Sequence, residues 1–152
     1  MAFIYDFEYK VHSVIEDLAD SGLPVGEPEI SITTTDGFMK CEGGEYLLTY
    51  AEKTEDGDRI FTEIRVAEGR IALTRRGAIA SEMIFSSERY KALYNIGAYS
   101  FDMELETKKI RSSLTKEGGE LQLIYIMTVG GAARSVRMKL TATPKRRQNA
   151  RA

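Results

Sequence analysis

The chain has 152 residues, 43% of them hydrophobic and 29% charged, with a net charge of −2. This is one domain's worth of chain, long enough to bury a core, with the composition of an ordinary globular protein. No apolar run approaches the roughly 18 to 20 residues of a membrane-spanning helix, the start MAFIYDFEYK lacks the basic region of a signal peptide, and the lone Cys41 excludes an internal disulfide, which fits a cytoplasmic location.

The dominant period along the chain is two, which signals strands. From Phe3 to Glu16 the odd positions Phe3, Tyr5, Phe7, Tyr9, Val11, Ser13 and Ile15 are mostly apolar. The even positions include Asp6, Glu8, Lys10, His12 and Glu16, so this reads as a long, half-buried strand. Leu18 to Pro28, LADSGLPVGEP, holds both Pro and Gly and reads as a loop. EISITTT then sets Ile30, Ile32 and Thr34 on one face, and Asp36-Gly37 and Gly43-Gly44 are turn signals.

EYLLTYAEK aligns Tyr46, Leu48, Tyr50 and Glu52 on one face. After a turn at Asp56-Gly57, RIFTEIRV sets Ile60, Thr62, Ile64 and Val66 opposite Arg59, Phe61, Glu63 and Arg65. Ala67-Glu68-Gly69 turns the chain into RIALTRRG, where Arg75 falls in step with Ile71 and Leu73, and the chain reverses at Gly77 into a strand ending at Phe85. SSERYKALY has room for one helical turn. SFDMELETK aligns Phe101, Met103, Leu105 and Thr107, and Gly118-Gly119 leads into ELQLIYIMTV. A last strand from Arg134 to Thr143 sets Val136, Met138, Leu140 and Ala142 opposite Arg137 and Lys139.

About ten one-faced strands joined by tight turns predict an all-β domain over residues 1–143. Consecutive strands pair antiparallel, and closing the meander removes its sticky edges, so a single up-and-down β-barrel of about 8–10 strands is expected, with a sandwich as the alternative. Residues 144–152 are basic, begin with a proline and are expected to form a disordered, solubilising tail. They are also the one feature that suggests nucleic acid, which is the weaker reading. The charge is unevenly spread: Met1 to Asp58 carries 14 acids and 3 bases, and Arg59 to Ala152 carries 9 acids and 18 bases. Acidic strands lying beside basic strands would account for this split.

Local traces of catalysis are few. One histidine, on the wet face of the first strand, and one cysteine make neither a zinc-ligand set nor a nucleophile–base dyad. The acid run Glu55 to Asp58 lacks the spacing of a calcium loop, and no helix follows the glycine pairs to form a phosphate cradle. No metal or cofactor is expected. One constellation stands out. Glu52, Thr62 and Arg75 are polar groups in the apolar phase of their strands. An unpaired buried arginine is costly, and Glu52 is its candidate partner. Alternatively both emerge into water at strand ends, or Arg75 faces a cavity that holds water or the acidic head of a ligand.

The chain resembles the YwiB-like family, bacterial proteins of unknown function with a calycin-type, lipocalin-like β-barrel. The residues that carry the resemblance are DGF at Asp36 to Phe38, YLLTYAE at Tyr46 to Glu52, TEIRVAEGRIALTRRGAI from Thr62 to Ile79, and ELETKKI from Glu104 to Ile110. It runs roughly from Phe7 to Thr143 and rests on the order and spacing of these stretches. The chain departs from it at YNIGAYSF, where Ile96 and Tyr99 stand in place of a threonine–glycine turn, in the longer Leu18 to Pro28 loop, and in the basic tail. The resemblance implies the barrel and no established activity. Glu52, Thr62 and Arg75 match its pattern.

The first functional expectation is a noncatalytic barrel that binds a small amphipathic or acidic ligand. Arg75, Glu52, Thr62, Tyr50 and Tyr125 would form the site, and Phe7, Tyr9, Phe101, Met103 and Met127 would add apolar wall. The second is a protein-interaction or homo-oligomeric barrel with an outer patch including Phe61, Ile84 and Ile124. An enzyme with Glu52 as acid or base ranks last, because a single ion pair is more often structural.

Overall fold

The computed structural model describes residues 3–145, with side chains from Asp6 onward. Ten strands follow one another: β1 (Phe3–Leu18), β2 (Pro24–Glu42), β3 (Glu45–Lys53), β4 (Arg59–Ala67), β5 (Arg70–Gly77), β6 (Ile79–Phe85), β7 (Tyr90–Ile96), β8 (Tyr99–Ser112), β9 (Gly119–Val129) and β10 (Ala132–Pro144). Each pairs antiparallel with the next, and β10 returns to β1, so the sheet closes as an up-and-down barrel. The closing seam is in register from Phe7↔Pro144 to Asp17↔Arg134. Here the acidic first strand meets the basic last one, with ion pairs Asp17–Arg134 at 3.0 Å and Glu16–Arg137 at 3.6 Å. Of the tail expected over residues 144–152, Pro144 instead ends β10 opposite Phe7, and Arg146 to Ala152 lie outside the described residues.

The alternation sorts side chains as a closed sheet requires. Phe7, Tyr9, Met39, Leu48, Ile64, Ile71, Leu73, Phe85, Leu105, Leu121, Leu123 and Leu140 point inward and are almost wholly buried. Each such side chain contributes roughly 1.5–3 kcal/mol by leaving water. They pack one part of the barrel solid, with the rings of Phe7 and Tyr9 6.2 Å apart and those of Tyr9 and Tyr50 5.6 Å apart.

Three local expectations change. Asp36-Gly37 is not a turn, because β2 runs through it. The glycine serves a close approach instead: a Cβ there would stand 2.1 Å from the Thr49 carbonyl oxygen and 2.9 Å from the Tyr9 ring. The Tyr9 hydroxyl then donates to the Phe38 carbonyl at 2.7 Å. Gly43 and Gly44 do make the β2–β3 turn, at positive φ of 61° and 82°. The Leu18 to Pro28 stretch is mostly strand, since β2 already begins at Pro24. SSERYKALY contains no helical turn among the described residues. Its second half is β7, held to β8 from Tyr90↔Leu105 to Ile96↔Tyr99. Pairing with β8 overrides the weak local helical pattern.

Gly37→Ala is expected to destabilise the fold by about 1–3 kcal/mol through overpacking against the Thr49 backbone and Tyr9. Urea unfolding monitored by circular dichroism would measure this, and an unchanged midpoint would contradict the close approach.

Candidate functional site

The antiparallel register lines up one transverse row of inward positions. Gly37 on β2 lies opposite Tyr50 on β3, Tyr50 opposite Thr62 on β4, Thr62 opposite Arg75 on β5, and Arg75 opposite Ser81 on β6. The sheet thus sets an arginine between two hydroxyl side chains. Thr62 is 2% exposed and Ser81 is 8% exposed. Neither Thr62 Oγ1 nor Ser81 Oγ has a hydrogen-bond partner, and the same holds for Thr107 Oγ1, whose residue pairs with Tyr125 across β8 and β9. Buried hydroxyls without partners are uncommon and costly.

Arg75 itself is half-buried. Among the described residues it forms no ion pair, since the nine salt bridges run between other side chains. The expected Glu52–Arg75 pair is therefore absent. Glu52 lies in the next row, opposite Ile60, and a whole strand separates it from Arg75. Both charges act on Tyr50. Its phenol is pushed up to about 12, mainly by burial and then by the Glu52 carboxylate, with Arg75 and Thr62 offsetting part of the rise. Thr62 is thus near the Tyr50 phenol without meeting it at hydrogen-bonding geometry. Tyr9 is raised further, by burial and then by Tyr50. Tyr125 is also raised by burial, with Arg75 lowering it and Tyr94 raising it. Its ring packs on Phe85 at 4.6 Å.

The barrel also opens at one end, in a basin that none of the row's side chains lines. Tyr94, Ile96, Phe101, Met127, Val129, Gly130, Ala132 and Arg134 line a basin of about 400 Å³. It lies at the end where β7 turns into β8 and β9 into β10. Phe101, expected to be internal wall, stands at this mouth and is 39% exposed. Arg134 is tied to Asp17 there. The β6–β7 seam beside the site is short, with only Ile79↔Ile96 and Ala80↔Asn95 in register.

The structure brings Tyr50, Thr62, Arg75 and Tyr125 together and leaves Glu52 in the next row. Sequence reading missed Ser81 and Tyr94, although Ser81 alternates in phase with Met83 and Phe85 and was legible on that ground. Of the expected outer patch, Phe61, Ile84 and Ile124 lie on β4, β6 and β9 around the barrel. Phe61 faces a groove of about 480 Å³ with Phe38 and Arg76. His12 sits on the outer face beside Arg137 and Lys139. Burial raises the half-buried Cys41 thiol and Lys116 partly offsets this. Among the described residues, no three His, Cys, Asp or Glu side chains cluster in a way that could hold a metal.

The fold and its inward polar row define a closed, ten-stranded antiparallel β-barrel protein. Residues 25–140 match the family described as "Domain of unknown function (DUF1934)", and the chain belongs to that family. It is 30% identical over 121 residues to the "Uncharacterized beta-barrel protein YwiB" of Bacillus subtilis (strain 168), covering 79% of this chain and 80% of that one. The crystal structure of the ywiB protein from Bacillus subtilis superposes with a TM-score of 0.80 at 26% identity, over 94% of both chains.

The tyrosine environment sets a pH dependence. Below pH of about 10 the phenol is neutral in folded and unfolded chains alike. Above it the unfolded chain ionises while folded Tyr50 holds its proton to about 12, so stability falls as pH rises between those values. Tyr50→Phe is expected to make this fall shallower. Urea midpoints across that range check it, and parallel profiles for the two proteins would refute it.

Proposed function

We propose that the protein is a noncatalytic cytoplasmic barrel that binds a small amphipathic anion through the end next to Arg75. One observation carries the reading: a half-buried guanidinium has no ion-pair partner among the described residues, and the hydroxyls flanking it on both neighbouring strands have none either. A carboxylate or phosphate head would accept from the guanidinium and from Thr62 and Ser81, and charge-assisted bonds of this kind are the strong ones.

The basin supplies room for the rest of such a ligand. Its volume falls within the roughly 300–1,000 Å³ of small-molecule sites, and its wall is mainly apolar. Tyr94 lines it, and Tyr94 and Arg75 both act on Tyr125, which supports a basin close to the polar layer. Tyr50 and Tyr125 keep their protons well above neutral pH, which suits them to donate hydrogen bonds rather than to act as bases. Glu52, in the next row, would discourage a second negative charge near Tyr50.

A fluorescent long-chain fatty acid and its uncharged alcohol analogue distinguish this reading. The acid is expected to bind more tightly, and Arg75→Gln to weaken the acid by roughly 10-fold or more, in line with the about 1.5–3 kcal/mol of a charged hydrogen bond. The alcohol should be little affected. Equal binding of the two probes, or no binding of either, would reject it. Native mass spectrometry of the purified protein gives a second readout, as added mass lost on denaturation.

A further inference from the structure

β2 outruns its neighbour. β1 pairs with it from Leu18↔Pro24 to Phe3↔Cys41, whereas β3 joins it only from Gly37 to Glu42. Where that ladder ends, the Thr35 hydroxyl donates to the Ala51 carbonyl at 2.9 Å. Among the described residues, no strand pairs with the other side of β2 from Glu29 to Asp36. An unpaired edge of this kind is a template for another strand. One end of the edge is guarded: Gly26, Glu27 and Pro28 bulge out between the pairs Asp17↔Val25 and Ile15↔Glu29. The stretch from Glu29 to Thr33 has no proline, lysine or bulge. It also presents Ile30 at 61% and Ile32 at 59% exposure on the outer face.

We propose that Glu29 to Thr33 pairs antiparallel with the same segment of a second copy of this chain, about a two-fold axis at Ser31. The segment is complementary to itself in that register. Ile30 lies opposite Ile32 of the second copy and Ile32 opposite its Ile30, so the exposed isoleucines of the edge cover each other. Glu29 faces Thr33, and no like charges meet. An axis one residue earlier would draw Pro28 into the ladder opposite Ile32, where it cannot donate. An axis one residue later sets Ile30 against Thr34 and keeps a single isoleucine contact, Ile32 on its own counterpart, in place of two. Because the pairing is isologous, a single contact removes the free edge of both chains and closes the assembly at two. Two barrels then share one continuous sheet, β10–β1–β2 of one copy running into β2–β1–β10 of the other.

Sedimentation equilibrium of the full chain tests this. The expected result is twice the chain mass, falling towards the monomer on dilution. The Ile30→Lys, Ile32→Lys double variant sets lysine against lysine and should be monomeric, with its thermal midpoint as a monomer retained, since both positions are largely exposed. The Ile30→Lys, Ile32→Glu variant sets opposite charges against each other in the Ser31 register and should dimerise more strongly than the double-lysine variant. A wild type that is monomeric at every concentration overturns the proposal. So does a dimer that persists in the double-lysine variant, or equal dissociation of the two variants.

Discussion

Every inward-facing side chain of this protein depends on the seam between β1 and β10. An open sheet of these strands would leave two long edges, and the apolar face would have no opposite wall to pack against. Closure supplies both at once. The eleven matched residues from Phe7↔Pro144 to Asp17↔Arg134 join the two ends of the chain. Lys145 prolongs the contact, its N–H donating to the Asp6 carbonyl at 3.1 Å and its Nζ reaching Asp36 at 2.7 Å. The ion pairs along the seam are at least partly exposed and individually worth little. They favour this pairing over others, while the buried interior holds it. A slip of β1 by one residue here would turn Phe7, Tyr9 and Val11 out to water together.

Within the closed barrel, apolar and polar inward positions separate. Rings and aliphatic chains from β1, β2, β3, β4, β5, β6, β8, β9 and β10 pack into one buried cluster. The other region holds Tyr50, Thr62, Arg75, Ser81 and Tyr125, then the mouth. The closest layer of contact is Tyr50, whose ring packs on Tyr9 while its hydroxyl belongs to the polar group. A tyrosine is suited to that boundary, apolar in body and polar at its tip. Partial filling explains how the barrel can be stable and still leave unpaired hydroxyls inside: the packed region offsets what the polar region costs.

The strands do not all end at the same height, and the surface features follow from this. β3 stops short of β2, which leaves the edge at Glu29 to Asp36. β6 and β7 share two residue pairs, which thins the wall beside Ser81. The apolar residues of β2 are also divided between its faces, with Met39 inside and Ile30, Ile32 and Phe38 outside. A strand with apolar groups on both faces is what a contact beyond its own barrel would require.

Much of this was legible in alternation alone. The period of two identified the strands, their one-sidedness implied closure, and Arg75 and Thr62 were visible as polar residues in apolar phase. Local patterns failed where a distant strand decided the outcome. Asp36-Gly37 has the chemistry of a turn, yet the Tyr9 ring and the Thr49 carbonyl use that glycine as an open space in a continuous strand. Arg75 and Glu52 look like partners when each strand is read by itself, but the register sets them in different rows. By itself, then, the sequence determined which residues share a face, because side-chain direction in a strand depends only on parity. Only the tertiary structure decided which faces meet and at what height, because register and strand overlap depend on contacts between residues far apart in the chain.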